Sequence, residues 1–202
     1  IVSYKIEGKE LLKAPLMPNY FRALTDNDID FLNFTPQWAK FHPFYAWQRA
    51  THHTRADKTE VIKNNNAVEI HIAFSTAGLK KSVATYRVYP DGRLYVFHSA
   101  VPTKGMLRFG YQMTMDKSME YITWYGRGPK PTYIDRKLGS KIDLYKSSVT
   151  DFEYRYMRPQ ESSNRCDVRY FTLTDKNGFG IKVDAYYDCL LYTSPSPRDR
   201  SV

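Results

Sequence analysis

Two carboxylates flank one amide in the run Thr25-Asp26-Asn27-Asp28. Paired carboxyl groups are the equipment of acid–base and nucleophilic catalysis when a turn brings them together. An Asp-x-Asp pair also suits a hard cation such as Ca²⁺ or Mg²⁺, although the other ligands of a calcium loop are missing. A third reading is local: Asp and Asn following Thr cap backbone N–H groups in loops. We adopt that structural reading. A second rich stretch, Trp124 to Arg136 (WYGRGPKPTYIDR), crowds Gly126, Gly128, Pro129 and Pro131 against Trp124, Tyr125, Tyr133, Asp135 and Arg136. Exposed, its aromatic rings would stack on a polar, ring-shaped ligand such as a sugar. The alternative is a rigid corner, with the glycines supplying backbone angles other residues avoid and the prolines stiffening the residues after them. The corner is the reading we favour.

Other reactive residue types are thinner. In Arg158-Pro159-Gln160-Glu161 a buried Arg–Glu pair holding a loop is favoured over a catalytic Glu, because no second carboxylate is placed beside it. His52-His53 would be half a metal site, but in a polar stretch they read as solvated surface. Cys166 has no sign of activation and reads as a small packing residue.

These residues sit among strand signals. Val68 to Phe74 alternates with period two, and Val83 to Tyr89, Pro90-Asp91-Gly92 and Leu94 to Phe97 form a strand–turn–strand pattern. Met106 to Met115 and Met119 to Trp124 look like further strands. Val168 to Leu173, Asp175-Lys176-Asn177-Gly178 and Ile181 to Tyr187 make a second hairpin. Only Trp38 to Ala50 has helical character, interrupted by Pro43. The class is all-β, a sandwich of antiparallel sheets.

The chain of 202 residues is 42% hydrophobic, enough for a packed core. It carries 17 Tyr and 11 Phe and a net charge of +9. The Lys and Arg are scattered, without a basic run or helix, so the footprint of a nucleic-acid partner is absent. Two cysteines far apart imply no disulfide framework. No apolar run reaches the length of a membrane span, so no membrane partner is expected. The compartment is left open between cytoplasm and periplasm.

Three motifs, in order and spacing, carry a family likeness that runs from about residue 4 to residue 187. Asn19, Arg22, Ala23, Thr25, Asp26, Asn27 and Asp28 form the first. Trp124, Gly126, Gly128, Pro129, Tyr133, Asp135 and Arg136 form the second. Arg158, Pro159, Gln160 and Glu161 with Asp167, Val168 and Arg169 form the third. Together they resemble the C-terminal small-chain region of the large β-galactosidases of glycoside hydrolase family two. The resemblance implies an antiparallel β-supersandwich, galactose mutarotase-like and C-terminally incomplete. It implies a parent enzyme that hydrolyses terminal β-D-galactosides such as lactose with retention. Both catalytic glutamates would lie on a (β/α)-barrel of the same polypeptide and map onto no residue here. The barrel is the implied intramolecular partner and the β-galactoside the implied substrate. A homo-oligomer and a divalent cation (Mg or Ca) in the barrel are implied for the parent, with no cofactor in this segment. The stretch around Asp26, Asn27, Asp28 and Asp30 to Asn33 would lie near the sugar, with Asp30 where the family often has a Gly.

Two competing functions remain in view: a free-standing mutarotase-like sugar epimerase, for which His71 and His98 are the candidate acids, and a non-catalytic carbohydrate-binding module. The end of the chain reads differently. Cys189 to Asp199 (CLLYTSPSPRD), back-translated, resembles a transposon-type sequencing adapter read in frame. Residues 1–187 are therefore read as a partial sandwich domain and 188–202 as a non-native tail, with residues from 189 on expected outside the sheets.

Overall fold

The computed structural model describes residues 1–30, 44–157 and 160–191, without the side chains of residues 29, 30 and 187–190. The fold is all-β and sandwich-like, and both four-stranded sheets are antiparallel throughout. It divides into two compact units, 1–22 with 34–114 and 23–33 with 115–202.

The first unit holds β1 (Lys5–Ile6), β2 (Lys9–Glu10), β3 (Leu12–Asn19), helix α2 (Tyr45–His52), β4 (Arg55–Lys63), β5 (Val68–Ser75), β6 (Leu79–Val88), β7 (Leu94–Pro102) and β8 (Gly110–Met115). Strands β4-β5-β6-β7 form one sheet in sequence order, β3 pairs with β8, and β1 with β2. The hairpin between β6 and β7 closes where expected. Gly92 takes φ +81°, which its missing Cβ permits, and its N–H donates to Tyr89 O at 3.0 Å. Alternation then buries Ser82, Ala84 and Tyr86 on one face of β6. The helix is shorter than the predicted Trp38–Ala50 pattern at its start and extends past it, and 38–43 lie outside the described residues. It buries Trp47 and Ala50 against Tyr20, and the Trp47 indole N–H donates to Gly105 O at 2.8 Å.

A polar group is locked into this aromatic surround. His98 Nε2 lies 2.8 Å from Ser82 Oγ, which lies 3.3 Å from the Tyr20 hydroxyl. The rings of Phe109, Tyr111, Phe74 and Tyr20 stand 4.9 to 6.3 Å from the imidazole. Burial pushes the imidazole down to about 4, because a charge there would lose its hydration.

The second unit holds α1 (Asp26–Asp30), β9 (Tyr121–Gly128), β10 (Lys141–Ser148), α3 (Val149–Phe152), β11 (Arg165–Thr174) and β12 (Gly180–Leu191). Its sheet order is β10-β9-β11-β12. Ile122, Trp124, Phe152, Val168 and Leu191 form the core, with Tyr145, Phe171 and Leu173 packed against it. Trp124 stacks on Tyr145 at 5.3 Å and meets Phe152 edge-on at 5.1 Å.

Two expectations are corrected by the fold. Gly126 and Gly128 lie within β9, not in a turn, and neither has φ in the left-handed region. The requirement at Gly126 is closeness: a Cβ there would stand 2.8 Å from Val168 Cα and 3.2 Å from Asp167 O on the neighbouring strand. The second correction concerns the end of the chain. β12 continues past Tyr187, pairing Cys189 with Val168 and Leu191 with Arg165, and Leu191 is buried in the core. Residues 189–191 are therefore inside the sheet, while Tyr192 and all later residues lie outside the described residues.

This packing has two testable consequences. Gly126→Val forces β9 and β11 apart and should destabilise the chain by roughly 1–3 kcal/mol or more. Gly139→Ala, with open space around its Cβ, serves as a control that should melt like the parent. Equal melting temperatures for Gly126→Val and the parent would refute the close-approach argument. The second consequence concerns pH. The folded pKa of His98 is depressed, so the unfolded chain takes up a proton first on acidification. His98 therefore contributes full stability above its unfolded value of 6.5 and progressively less as the pH falls toward about 4. With the partial exposure of the ring allowed for, the loss amounts to roughly 1–2 kcal/mol. Denaturant unfolding at pH 7 and pH 4.5 should show a larger decrement for the parent than for His98→Gln.

Candidate functional site

The helix α1 begins with a reciprocal cap. Thr25 N–H and hydroxyl both donate to Asp28 Oδ2, at 2.7 and 2.8 Å, and Asp28 N–H donates back to Thr25 Oγ1 at 3.3 Å. The pattern Thr-x-x-Asp is that of a capping box, which satisfies N–H groups a short helix leaves open. Asp28 is thus a capping residue. Asp26 faces elsewhere: Gln160 Nε2 donates to its Oδ2 at 2.8 Å, and Asp26 N–H donates to Gln160 Oε1 at 3.2 Å. Asn27 Nδ2 donates to Asp135 Oδ2 at 2.6 Å. The two carboxylates read as a candidate pair therefore serve different partners. Asp30 ends α1, and its side chain lies outside the described part of the structure.

Glu161 joins the same network. It is 1% exposed. Its N–H donates to Leu24 O at 3.1 Å, its carbonyl accepts from the Tyr133 hydroxyl at 2.7 Å, and its Oε1 accepts from Ser163 N–H at 2.8 Å. Burial, with Glu161 beside it, drives the Tyr133 hydroxyl far above the ordinary tyrosine range. Arg136 donates to the Tyr156 hydroxyl at 2.6 Å, with its guanidinium over the Tyr133 and Tyr156 rings. Arg158, expected as the partner of Glu161, lies outside the described residues.

Behind this network the chain is clasped again. Thr132 N–H donates to Asn164 O at 2.8 Å, Asn164 Nδ2 donates to Thr132 O at 2.7 Å, and Cys166 N–H donates to Thr132 Oγ1 at 2.8 Å. Cys166 is buried, and burial raises its thiol pKa, so it packs as expected. Asp167 adopts φ +54° and binds Arg127 and, at 3.1 Å, Lys137. Those bonds, the one to Arg127 first, hold its carboxyl below the ordinary range.

The aromatic candidates divide by burial. Trp124 is 1% exposed and presents no ring to a ligand. Tyr125 is 37% exposed, with the Arg169 guanidinium 5.5 Å over its ring. Pro129 follows Gly128 through a cis peptide. Sequence reasoning gave no role to Gln160, Thr132, Asn164 or Tyr156. The pattern Thr-x-x-Asp was the available signal for the cap, but no spacing rule pairs residues 134 positions apart.

His52 and His53 are exposed, and His53 Nδ1 meets only its own helix, at Arg49 O. Among the described residues, no group of three or more His, Cys, Asp or Glu converges. His71 and His98 fall on opposite faces of their sheet, since His71 pairs with Thr85 and His98 with Ala84. His71 also touches Glu69 at 3.3 Å, leaving no gap for a sugar between an acid and a base.

Residues 1–196 match the β-galactosidase small-chain family. The chain belongs to that family. It is 34% identical over 187 residues to a β-galactosidase of Priestia megaterium, covering 90% of this chain and 17% of that protein. It is 31% identical over 193 residues to a β-galactosidase of Halalkalibacterium halodurans, covering 91% of this chain and 18% of that protein. A β-galactosidase of Vibrio cholerae is 26% identical over 178 residues, at 80% and 17% coverage. This small-chain segment thus spans less than a fifth of the length of these relatives. Residues of each of the three motifs, Asp26 and Asn27, Tyr133 and Asp135, and Gln160 and Glu161, meet in one network of the second unit.

The network makes Asp26 and Gln160 energetically coupled. Asp26→Asn and Gln160→Ala should each lower stability by roughly 1–2 kcal/mol. The double variant should fall short of their sum by about 0.5 kcal/mol or more, since the two share one interaction. Additive losses would mean that the amide–carboxylate pair is not a working contact.

Proposed function

We propose that this chain is the sandwich region of a retaining β-galactosidase that hydrolyses terminal β-D-galactosides such as lactose. In this reading the nucleophile and the acid/base lie on a barrel of the same polypeptide, and α1 with the residues after it borders the sugar site. A homo-oligomeric parent with a divalent cation in its barrel belongs to the same proposal.

One observation carries the division of labour. A retaining glycosidase needs two carboxyl groups about 5 Å apart and open to the sugar. Here the motif carboxylates are taken: Asp28 by the cap, Asp26 by Gln160, Asp135 by Asn27, Asp167 by Arg127 and Lys137, and Glu161 by burial beside Ser163 N–H. The names of the relatives support the parent activity, and this occupancy supports placing the chemistry outside the segment.

The test has two arms. The complete protein should release β-galactose first from lactose, seen by proton NMR before mutarotation. The 202-residue chain alone should not cleave a chromogenic β-galactoside. Turnover by the chain that disappears in Asp26→Asn or Glu161→Gln would overturn the proposal, as would α-galactose as the first product of the complete protein.

A further inference from the structure

The contact between Asn27 and Asp135 differs from the others that hold α1. Glu161 N–H donates to Leu24 O at 3.1 Å, Gln160 is bonded to Asp26 twice, at 2.8 and 3.2 Å, and the Thr25–Asp28 cap closes the start of the helix. All of those residues are buried or half-buried. Asn27 and Asp135 are both exposed, yet their side chains meet at 2.6 Å across 108 positions of sequence. Water competes for both partners of an exposed bond, so its contribution to stability is small beside that of the sheltered ones.

The contact is nonetheless well defined from the Asp135 side. Tyr133 and Arg136 close a tight turn around it, with Arg136 N–H donating to Tyr133 O at 2.9 Å. The Tyr133 hydroxyl is tied to Glu161 O at 2.7 Å, and Arg136 to the Tyr156 hydroxyl at 2.6 Å. Asp135 is thus presented from a frame anchored on both sides. An ionised carboxylate only accepts, so the bond selects which end of the Asn27 amide faces it: Nδ2 turns toward Asp135 and Oδ1 away. One carboxylate on a fixed turn therefore sets the direction in which α1 presents Asn27.

We infer that Asp135 is a positioning residue for the galactoside site: through Asn27 it orients the exposed side of α1, and it touches no reacting atom itself. The inference rests on the reading above that α1 borders the sugar. Without the contact the Asn27 side chain is free to turn, and the sugar meets a less ordered border. The cost of ordering that border falls equally on the bound substrate and on the transition state, so KM rises while kcat holds.

Initial rates of galactose release from lactose by the complete protein test this. Asp135→Leu, close in size but without an acceptor, should raise KM several-fold at unchanged kcat and unchanged melting temperature. Asp135→Asn keeps an acceptor for Asn27 Nδ2 and should hold the parental KM. Asn27→Asp sets two carboxylates face to face and should raise KM. Combining it with Asp135→Asn exchanges donor and acceptor and should bring KM back. A contact that serves stability alone would lower the melting temperature and leave KM where it was. Parental KM in Asp135→Leu and Asn27→Asp overturns the positioning role, as does an exchanged pair that recovers nothing. Should Asp135→Leu not fold, Asn27→Asp and its exchanged pair decide the matter. A complete protein that releases no galactose at all fails the underlying reading, and the positioning role falls with it, whereas an active protein with parental KM throughout fails the positioning role only.

Discussion

Taking the Glu161 carboxylate out of water constrains everything around it. A carboxylate with no access to solvent needs donors held in place, and its own main chain must be fixed to present it. The surrounding contacts fix the main chain and supply a donor to Oε1, while Oε2 is buried without a hydrogen-bond partner among the described residues. Ser163 N–H meets Oε1, the Tyr133 hydroxyl fixes the Glu161 carbonyl, and the Leu24 carbonyl takes the Glu161 N–H. Those three partners come from the three motif regions. Asp26–Gln160 and Asn27–Asp135 then extend the same junction outward. A buried residue placed centrally thus shares hydrogen bonds with all three motif regions.

The sheet beneath obeys a different constraint, one of distance. β9 and β11 approach until no Cβ fits at Gly126, and this brings Trp124 and Val168 into one core with Phe152. Arg165 then closes the core from the side, its cation spread over two aromatic faces. Its neighbour Cys166 is tied to Thr132, and Asp167 takes a left-handed backbone to reach Arg127 and Lys137. A non-glycine residue in that region costs of order 1 kcal/mol or more, and the two charge-assisted bonds offset it.

Legibility from sequence tracks the range of the interaction. The β6–β7 and β11–β12 hairpins were plain because alternation and an Asp-Gly or Asn-Gly turn are local signals. β4 was not, because its nine residues are all exposed and show no alternating apolar face. β10 was missed for a related reason, as Lys141, Asp143, Leu144 and Lys146 break the pattern. The helical α1 was hidden by its length, five residues that depend on a cap for their N–H groups. Within the site, the capping role of Asp28 was readable three residues away. The partners of Asp26 and Asn27 were not, since only the folded chain brings residues 160 and 135 to them. The glycines of WYGRGP misled in one respect. Glycine was taken as a sign of unusual angles, whereas here it marks a strand with no room for a side chain.

Two features of the composition that pointed outward when read separately turn out to address each other. A charge of +9 suggests polyanions, and 17 tyrosines suggest a stacking surface. In the fold, cations settle on rings: Arg93 on Tyr89, Lys104 on Trp47, Lys130 on Tyr154, Arg136 on Tyr133 and Tyr156, Arg169 on Tyr125 and Lys182 on Tyr170. Each such contact is worth about 0.5–1 kcal/mol at an exposed site. It also lets a long aliphatic stem cover apolar ring surface while its charge stays hydrated. Scattered lysines and arginines are what this arrangement requires, one cation to each ring or pair of rings, and a basic run would serve it poorly. Part of the positive charge therefore sits over aromatic rings of the fold. Arg165 differs from these cations in being buried, with its guanidinium 4.1 Å over the Phe152 ring.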